Sequence, residues 1–115
     1  MRRAVPLALA LLALAACAGD VRSATGAEAR ALVAAGATLV DVRTAGEFEG
    51  GHAAGALNVP LGELQARLAE IPKDRPVITY CMAGGRSGRA AALLAAEGYE
   101  VRDLGSLAKW NDAAP

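Results

Sequence analysis

Short apolar runs alternate along this chain with stretches that show helical spacing. Thr38-Leu39-Val40-Asp41-Val42 and Val77-Ile78-Thr79-Tyr80 are rich in β-branched residues and flanked by turn formers, which reads as two buried parallel strands. Glu100-Val101-Arg102-Asp103-Leu104 predicts a third strand, and Ala56 to Val59 a short one closed by Pro60. Between them, Thr25-Gly26-Ala27-Glu28 has the form of a capping box, opening a helix that runs to about Ala35 and stops at Gly36. Thr44 is placed to cap a short helix holding Glu47 and Phe48. Leu61, Leu64 and Leu68 fall on one helical face, and Ile71 to Pro76 reads as a turn. Ala90, Leu93, Leu94 and Glu97 share a face of an alanine-rich helix ending at Gly98. Gly105-Ser106 is expected to turn into a last helix carrying Leu107 and Trp110. Strands alternating with helices imply an α/β fold, a mainly parallel central sheet with helices on both faces. In such sheets ligands bind beyond the carboxyl ends of the strands.

The first residues do not fit this alternation. Met1-Arg2-Arg3 is a positive start, and Ala4 to Leu14 is apolar but shorter than the roughly 20 residues that span a bilayer. This is the layout of a secretory signal peptide. Leu14-Ala15-Ala16-Cys17 resembles a bacterial lipobox, so residues 1–16 are expected to be a lipoprotein-type signal and Cys17 a lipidation site; an ordinary signal peptide cut after Ala16 or Ala18, which would leave Cys17 a plain thiol, is the alternative. The product would be exported, periplasmic or in the cell envelope, and held to a membrane by its lipid. Residues 17–24 are then expected to be a short tether and 25–112 the single domain.

Charge narrows the partners. Basic and acidic residues balance at 12 each, and without Arg2 and Arg3 the balance is 10 against 12. With no basic patch and only 3% aromatic residues, nothing points to nucleic acid.

The chemistry concentrates at Tyr80-Cys81-Met82-Ala83-Gly84-Gly85-Arg86-Ser87. Cys81 would sit at the carboxyl end of a buried strand, followed by a glycine-rich turn and a helix start. Backbone N–H groups and the positive end of the helix dipole favour a thiolate and can hold an anion there. With Cys17 lipidated, Cys81 is the one remaining thiol, which disfavours both a structural disulfide and disulfide exchange. Arg86 at a helix start opposes the dipole, so a bound anion is the better explanation for it. Ser87 is expected to be a capping or turn hydroxyl. Asp41 and Arg43 end a strand near that of Cys81 and could frame the mouth of the pocket; an ion pair of Arg43 with Glu47 is the alternative. His52 is expected to be structural, and Phe48 and Trp110 to lie in the core.

These residues resemble the rhodanese-like domain family, in particular its small single-domain periplasmic thiosulfate sulfurtransferases. Three blocks carry the resemblance. The first is Leu39-Val40-Asp41-Val42-Arg43 with Glu47-Phe48, Gly51-His52, Gly55-Ala56 and Asn58-Val59-Pro60. The second is Tyr80-Cys81 with Gly84, Arg86 and Ser87. The third is Gly98-Tyr99, Val101, Leu104 and Trp110. Departures are Gly105-Ser106 where paired glycines are common, and Ala53 where isoleucine is common. The resemblance implies a Cys81 persulfide formed from an anionic sulfur donor such as thiosulfate and discharged to a thiol or to cyanide. Met82, Ala83, Gly84, Gly85 and Arg86 would hold the anion, and no metal or organic cofactor would be needed. Cell-cycle phosphatases share this fold but place five residues between cysteine and arginine; here four intervene, which suits a terminal sulfur better than a phosphoryl group. A non-catalytic persulfide carrier or binding module is the other alternative.

Overall fold

The computed structural model describes residues 21–115. The expected signal segment and the lipidation site at Cys17 lie outside the described residues. Among the described residues no helix is long and apolar enough to cross a membrane.

Five parallel strands form one sheet: β1 (Val21–Ser23), β2 (Thr38–Asp41), β3 (Leu57–Asn58), β4 (Val77–Cys81) and β5 (Val101–Ser106), in the order β1-β5-β4-β2-β3. The α-helices are α1 (Gly26–Ala34), α2 (Ala45–Glu49), α3 (Gly85–Ala96) and α4 (Leu107–Asp112). β4, the most central strand, is buried along its whole length.

Alternation along the strands sorts their side chains into two cores. Val40, Val77, Cys81 and Val101 pack with Ala90, Ala91, Leu94 and Ala95 of α3. Leu39, Ile78, Tyr80 and Leu104 pack on the opposite face with Ala29 of α1 and Trp110 of α4. The alanines of α3 have a purpose here: small side chains let the helix lie close to the sheet, and its first turn is thereby brought down onto the end of β4.

The capping box at Thr25 forms as the sequence suggests, and the cap expected at Thr44 proves to be a second capping box. Thr25 and Glu28 cap α1, and Thr44 and Glu47 cap α2. Gly36, past the end of α1, has φ of 114°, a conformation closed to most residues.

Three boundaries differ from those that the sequence suggests. The end of the expected tether is instead strand: Val21–Ser23 pairs with Val101–Asp103, and the Ala24 N–H donates to the Asp103 carbonyl at 2.9 Å. An edge strand of three exposed residues has no apolar alternation to reveal it. The leucine face at 61–68 is not an α-helix but two 3₁₀ segments, Leu61–Glu63 and Gln65–Glu70, with Arg67 off helical geometry (φ −114°, ψ 19°). Leu64 is still buried there, so the spacing marked the core while overstating the helix. Finally, Gly105 and Ser106 belong to β5 rather than to a turn. A bulge opposite Thr79/Tyr80 carries the strand on to Ser106, whose side chain then caps α4 by accepting from the Lys109 N–H at 3.3 Å.

Candidate active site

Cys81 is the last residue of β4, and Gly84 and Gly85 lead into α3. The turn closes tightly because Gly84 adopts φ 107°, ψ −20°. Only a residue without a Cβ takes that conformation readily. The result is that the Gly84 N–H points back at the Cys81 sulfur, 3.0 Å away, and the Ser87 N–H, in the first turn of α3, reaches it at 3.4 Å. These are N–H groups that a helix start leaves without intrahelical partners.

On the other side the sulfur lies 3.5 Å from the Gly105 carbonyl, to which a thiol would donate. The Ser87 hydroxyl lies 3.0 Å from the Gly84 carbonyl and 3.2 Å from that of Gly105. It ties the loop to the end of β5. The side chain that the sequence suggests as a turn hydroxyl does hold the turn, and it is fully buried beside the Cys81 loop.

The electrostatic balance follows. Burial pushes the Cys81 thiol up, but the Ser87 N–H and hydroxyl and the N–H groups of Gly84 and Ala83 outweigh it, so its pKa lies below the ordinary thiol value. Cys81 is 1% exposed, whereas Met82 beside it is 52% exposed. Met82, Ala83 and Gly85 face solvent over the buried sulfur.

Arg86 is engaged. Its Nη1 and Nη2 donate to the two carboxylate oxygens of Glu47 at 2.7 and 3.0 Å. Glu47 is thus not the partner of Arg43. It caps α2 and pairs with the cysteine loop at once, and the Arg86 guanidinium, with the capping N–H of Thr44, holds its carboxyl down to about 2. Arg86 stays beside the loop, but its charge is offset before any ligand arrives.

The Cys81 sulfur thus lies at a strand end and receives loop N–H groups; the comparisons with known proteins concern the domain as a whole. The rhodanese-like domain model matches residues 25–113. The chain belongs to the rhodanese-like domain family. It is 34% identical over 90 residues to the thiosulfate sulfurtransferase GlpE of Stutzerimonas stutzeri, covering 76% of this chain and 83% of that one. It is 50% identical over 76 residues to the uncharacterized protein YqhL of Bacillus subtilis, covering 64% of this chain and 60% of that one, so it spans less than two thirds of that relative. Among solved structures, a rhodanese-related protein from Thermoplasma volcanium superposes with a TM-score of 0.72 at 27% identity, covering 82% of this chain and 95% of that one.

Within this rhodanese-like domain, Asp41 and Arg43 do not frame a pocket mouth. They are 0% and 2% exposed and pair with each other. Asp41 Oδ1 accepts from the Arg43 N–H at 2.9 Å and from its Nε at 3.0 Å; Oδ2 accepts from Nη2 at 2.6 Å. Arg43 lies two residues beyond the end of β2, where an aspartate side chain commonly accepts the N–H two residues on, so the sequence did carry a local signal for this pair. Arg43 Nη2 also donates to the Gly51 carbonyl at 2.7 Å, and Asn58 Nδ2 donates to the carbonyls of Asp41 and Arg43 at 3.0 Å each. Tyr80, which precedes Cys81, donates its hydroxyl to Asp41 Oδ2 at 2.6 Å and accepts the Ala53 N–H at 3.1 Å. Burial and the Asp41 carboxylate push that phenol well up from its ordinary pKa. The network pins the 50–56 loop and the ends of β2 and β4 together underneath the site.

His52 has a structural role. Its ring stacks on Phe48 with centroids 3.6 Å apart, and Nδ1 lies 2.8 Å from the Phe48 carbonyl. Phe48 is therefore half-buried against His52 rather than in the core, whereas Trp110 is buried as expected. The Gly105 carbonyl and the Glu47–Arg86 pair are not marked in the sequence. Contacts across 24 and 39 residues of chain leave no local pattern to read.

Proposed function

We propose that this protein is a sulfurtransferase that moves a sulfane sulfur from thiosulfate to a thiol through a persulfide on Cys81. The observation that carries the reading is the Cys81 sulfur at the end of β4, receiving the N–H groups of Gly84 and Ser87. The name of the Stutzerimonas relative supports the choice of donor.

In the first half-reaction the Cys81 thiolate attacks the outer sulfur of thiosulfate. A bond forms between the two sulfurs, the S–S bond of thiosulfate breaks, and its electron pair leaves with sulfite. The persulfide Cys81–S–S⁻ keeps the negative charge near the loop, where the N–H groups of Ala83, Gly84 and Ser87 support it. In the second, an acceptor thiolate, or cyanide, attacks the outer sulfur and Cys81 leaves as thiolate. The Cys81 environment serves both halves, because a thiolate held below its ordinary pKa is both available for attack and a good leaving group.

The reading requires ping-pong kinetics. Steady-state formation of thiocyanate, with thiosulfate and cyanide varied together, should give parallel double-reciprocal lines. Intersecting lines would remove the covalent intermediate. Hydrolysis of an aryl phosphate in place of sulfur transfer would favour the phosphatase reading instead. Persulfide loading without turnover to any small acceptor would make the protein a carrier.

The setting belongs to the same proposal. Residues 1–16 would direct export and Cys17 would bear the lipid, which places the domain in the cell envelope. The apolar run and the small residues before Cys17 support this. Metabolic labelling with a fatty-acid probe, lost in Cys17→Ser, tests it.

A further inference from the structure

The Arg86–Glu47 pair poses a question that the persulfide mechanism does not answer. An anion site gains from a free cation, yet this one binds its arginine to a carboxylate through both terminal nitrogens. The pair is not hidden: both side chains are 32% exposed, so solvent and small anions reach it. Glu47 does not need Arg86 to cap α2, since the N–H and hydroxyl of Thr44 already donate to its Oε1 at 3.0 and 3.1 Å. The other N–H groups of the guanidinium have no partner among the described residues, and they are free to contact a ligand.

We propose that Glu47 is a specificity-determining residue that sets how strongly the site holds doubly charged sulfur oxyanions. It offsets the charge of Arg86 while leaving part of its N–H fork available. The proposal rests on the sulfur-transfer reading for its biological meaning. Thiosulfate and sulfite have the same charge and the same three-oxygen end. A fully expressed cation beside Cys81 would capture the donor more tightly and would hold the product by the same contacts, so sulfite would block the persulfide from its acceptor. A neutralised arginine keeps the direction of the hydrogen bonds and gives up part of the Coulomb attraction, which favours release.

Glu47→Gln is the direct test, because glutamine also serves at this position of a capping box. The affinity readout is separate from turnover: inorganic sulfate protecting Cys81 against alkylation. In Glu47→Gln the sulfate concentration giving half protection should fall by about two- to five-fold, the span that a part-exposed ion pair implies. The half-saturating thiosulfate concentration and the inhibition constant of sulfite should fall with it. If Glu47→Gln does not fold, Glu47→Asp shortens the reach to Arg86 and should shift all three in the same direction by less. Unchanged or weakened sulfate protection in a folded variant overturns the role of Glu47. Sulfate protection that tightens as stated, in a protein that never loads sulfur on Cys81, leaves the role of Glu47 standing and overturns the sulfur-transfer reading.

Discussion

The Tyr80 hydroxyl donates to Asp41 Oδ2 at 2.6 Å, so the residue next to Cys81 is bolted to the neighbouring strand from the face opposite the Cys81 side chain. Asp41 and Tyr80 are register partners in β2 and β4. Removing the hydroxyl would take one donor from a buried carboxylate and the acceptor from the Ala53 N–H. Tyr80→Phe should cost about 1–3 kcal/mol of stability. Urea unfolding checks this, and a variant as stable as the parent would show that the network is not holding the strand ends.

Cys81 should titrate below an ordinary thiol. Its folded-state pKa is lowered, so the reactive thiolate is present at pH values where an unperturbed cysteine is still protonated. The rate of alkylation by iodoacetamide, followed against pH, should rise at lower pH than it does for a free cysteine peptide. In Ser87→Ala the hydroxyl is lost while the backbone N–H at that position stays, so the midpoint should move up part of the way. A midpoint for the parent at or above that of the peptide would mean that burial wins over the loop N–H groups.

Gly84 and Gly85 should respond differently to the same change. Gly84 has φ 107°, and a Cβ there would sit 4.0 Å from the Gly105 Cα, so the obstacle is backbone strain rather than space. Gly84→Ala should cost about 1–2 kcal/mol at the loop. If the loop relaxes to relieve it, the N–H moves off the sulfur and persulfide formation should slow by about tenfold. Gly85 has no such φ, and a methyl group there would meet nothing within 4 Å, so Gly85→Ala should stay near the parent in both stability and rate. Rapid-quench measurement of persulfide formation separates the two.

What the sequence showed and what it concealed follow from how local each contact is. The capping box at Thr25 and the cap at Thr44 join residues three apart and were readable directly, although the return contact from Glu47 was not singled out. The buried β4, ending at Cys81, was readable from its β-branched run, and the glycines after it from the turn that they permit. Asp41 with Arg43 was readable in principle, because an aspartate at a strand end commonly accepts the N–H two residues on, but the same arginine also stood four residues from Glu47. Nothing local chose between those partners. The choice was made by Arg86, 39 residues further along than Glu47, which α3 places beside α2. β1 was concealed for a different reason: its three residues are exposed, and it is identified only by its ladder to β5 and by Arg102, whose guanidinium donates to the Ser23 carbonyl at 2.9 Å.

The Cys81 persulfide is open to direct observation by intact mass spectrometry of the reduced protein before and after thiosulfate. The expected result is a gain equal to one sulfur atom, located on Cys81, removed by cyanide and absent in Cys81→Ser. A protein that keeps its mass in excess thiosulfate, with Cys81 reduced and open to alkylation, would contradict the sulfur-transfer mechanism at its first step.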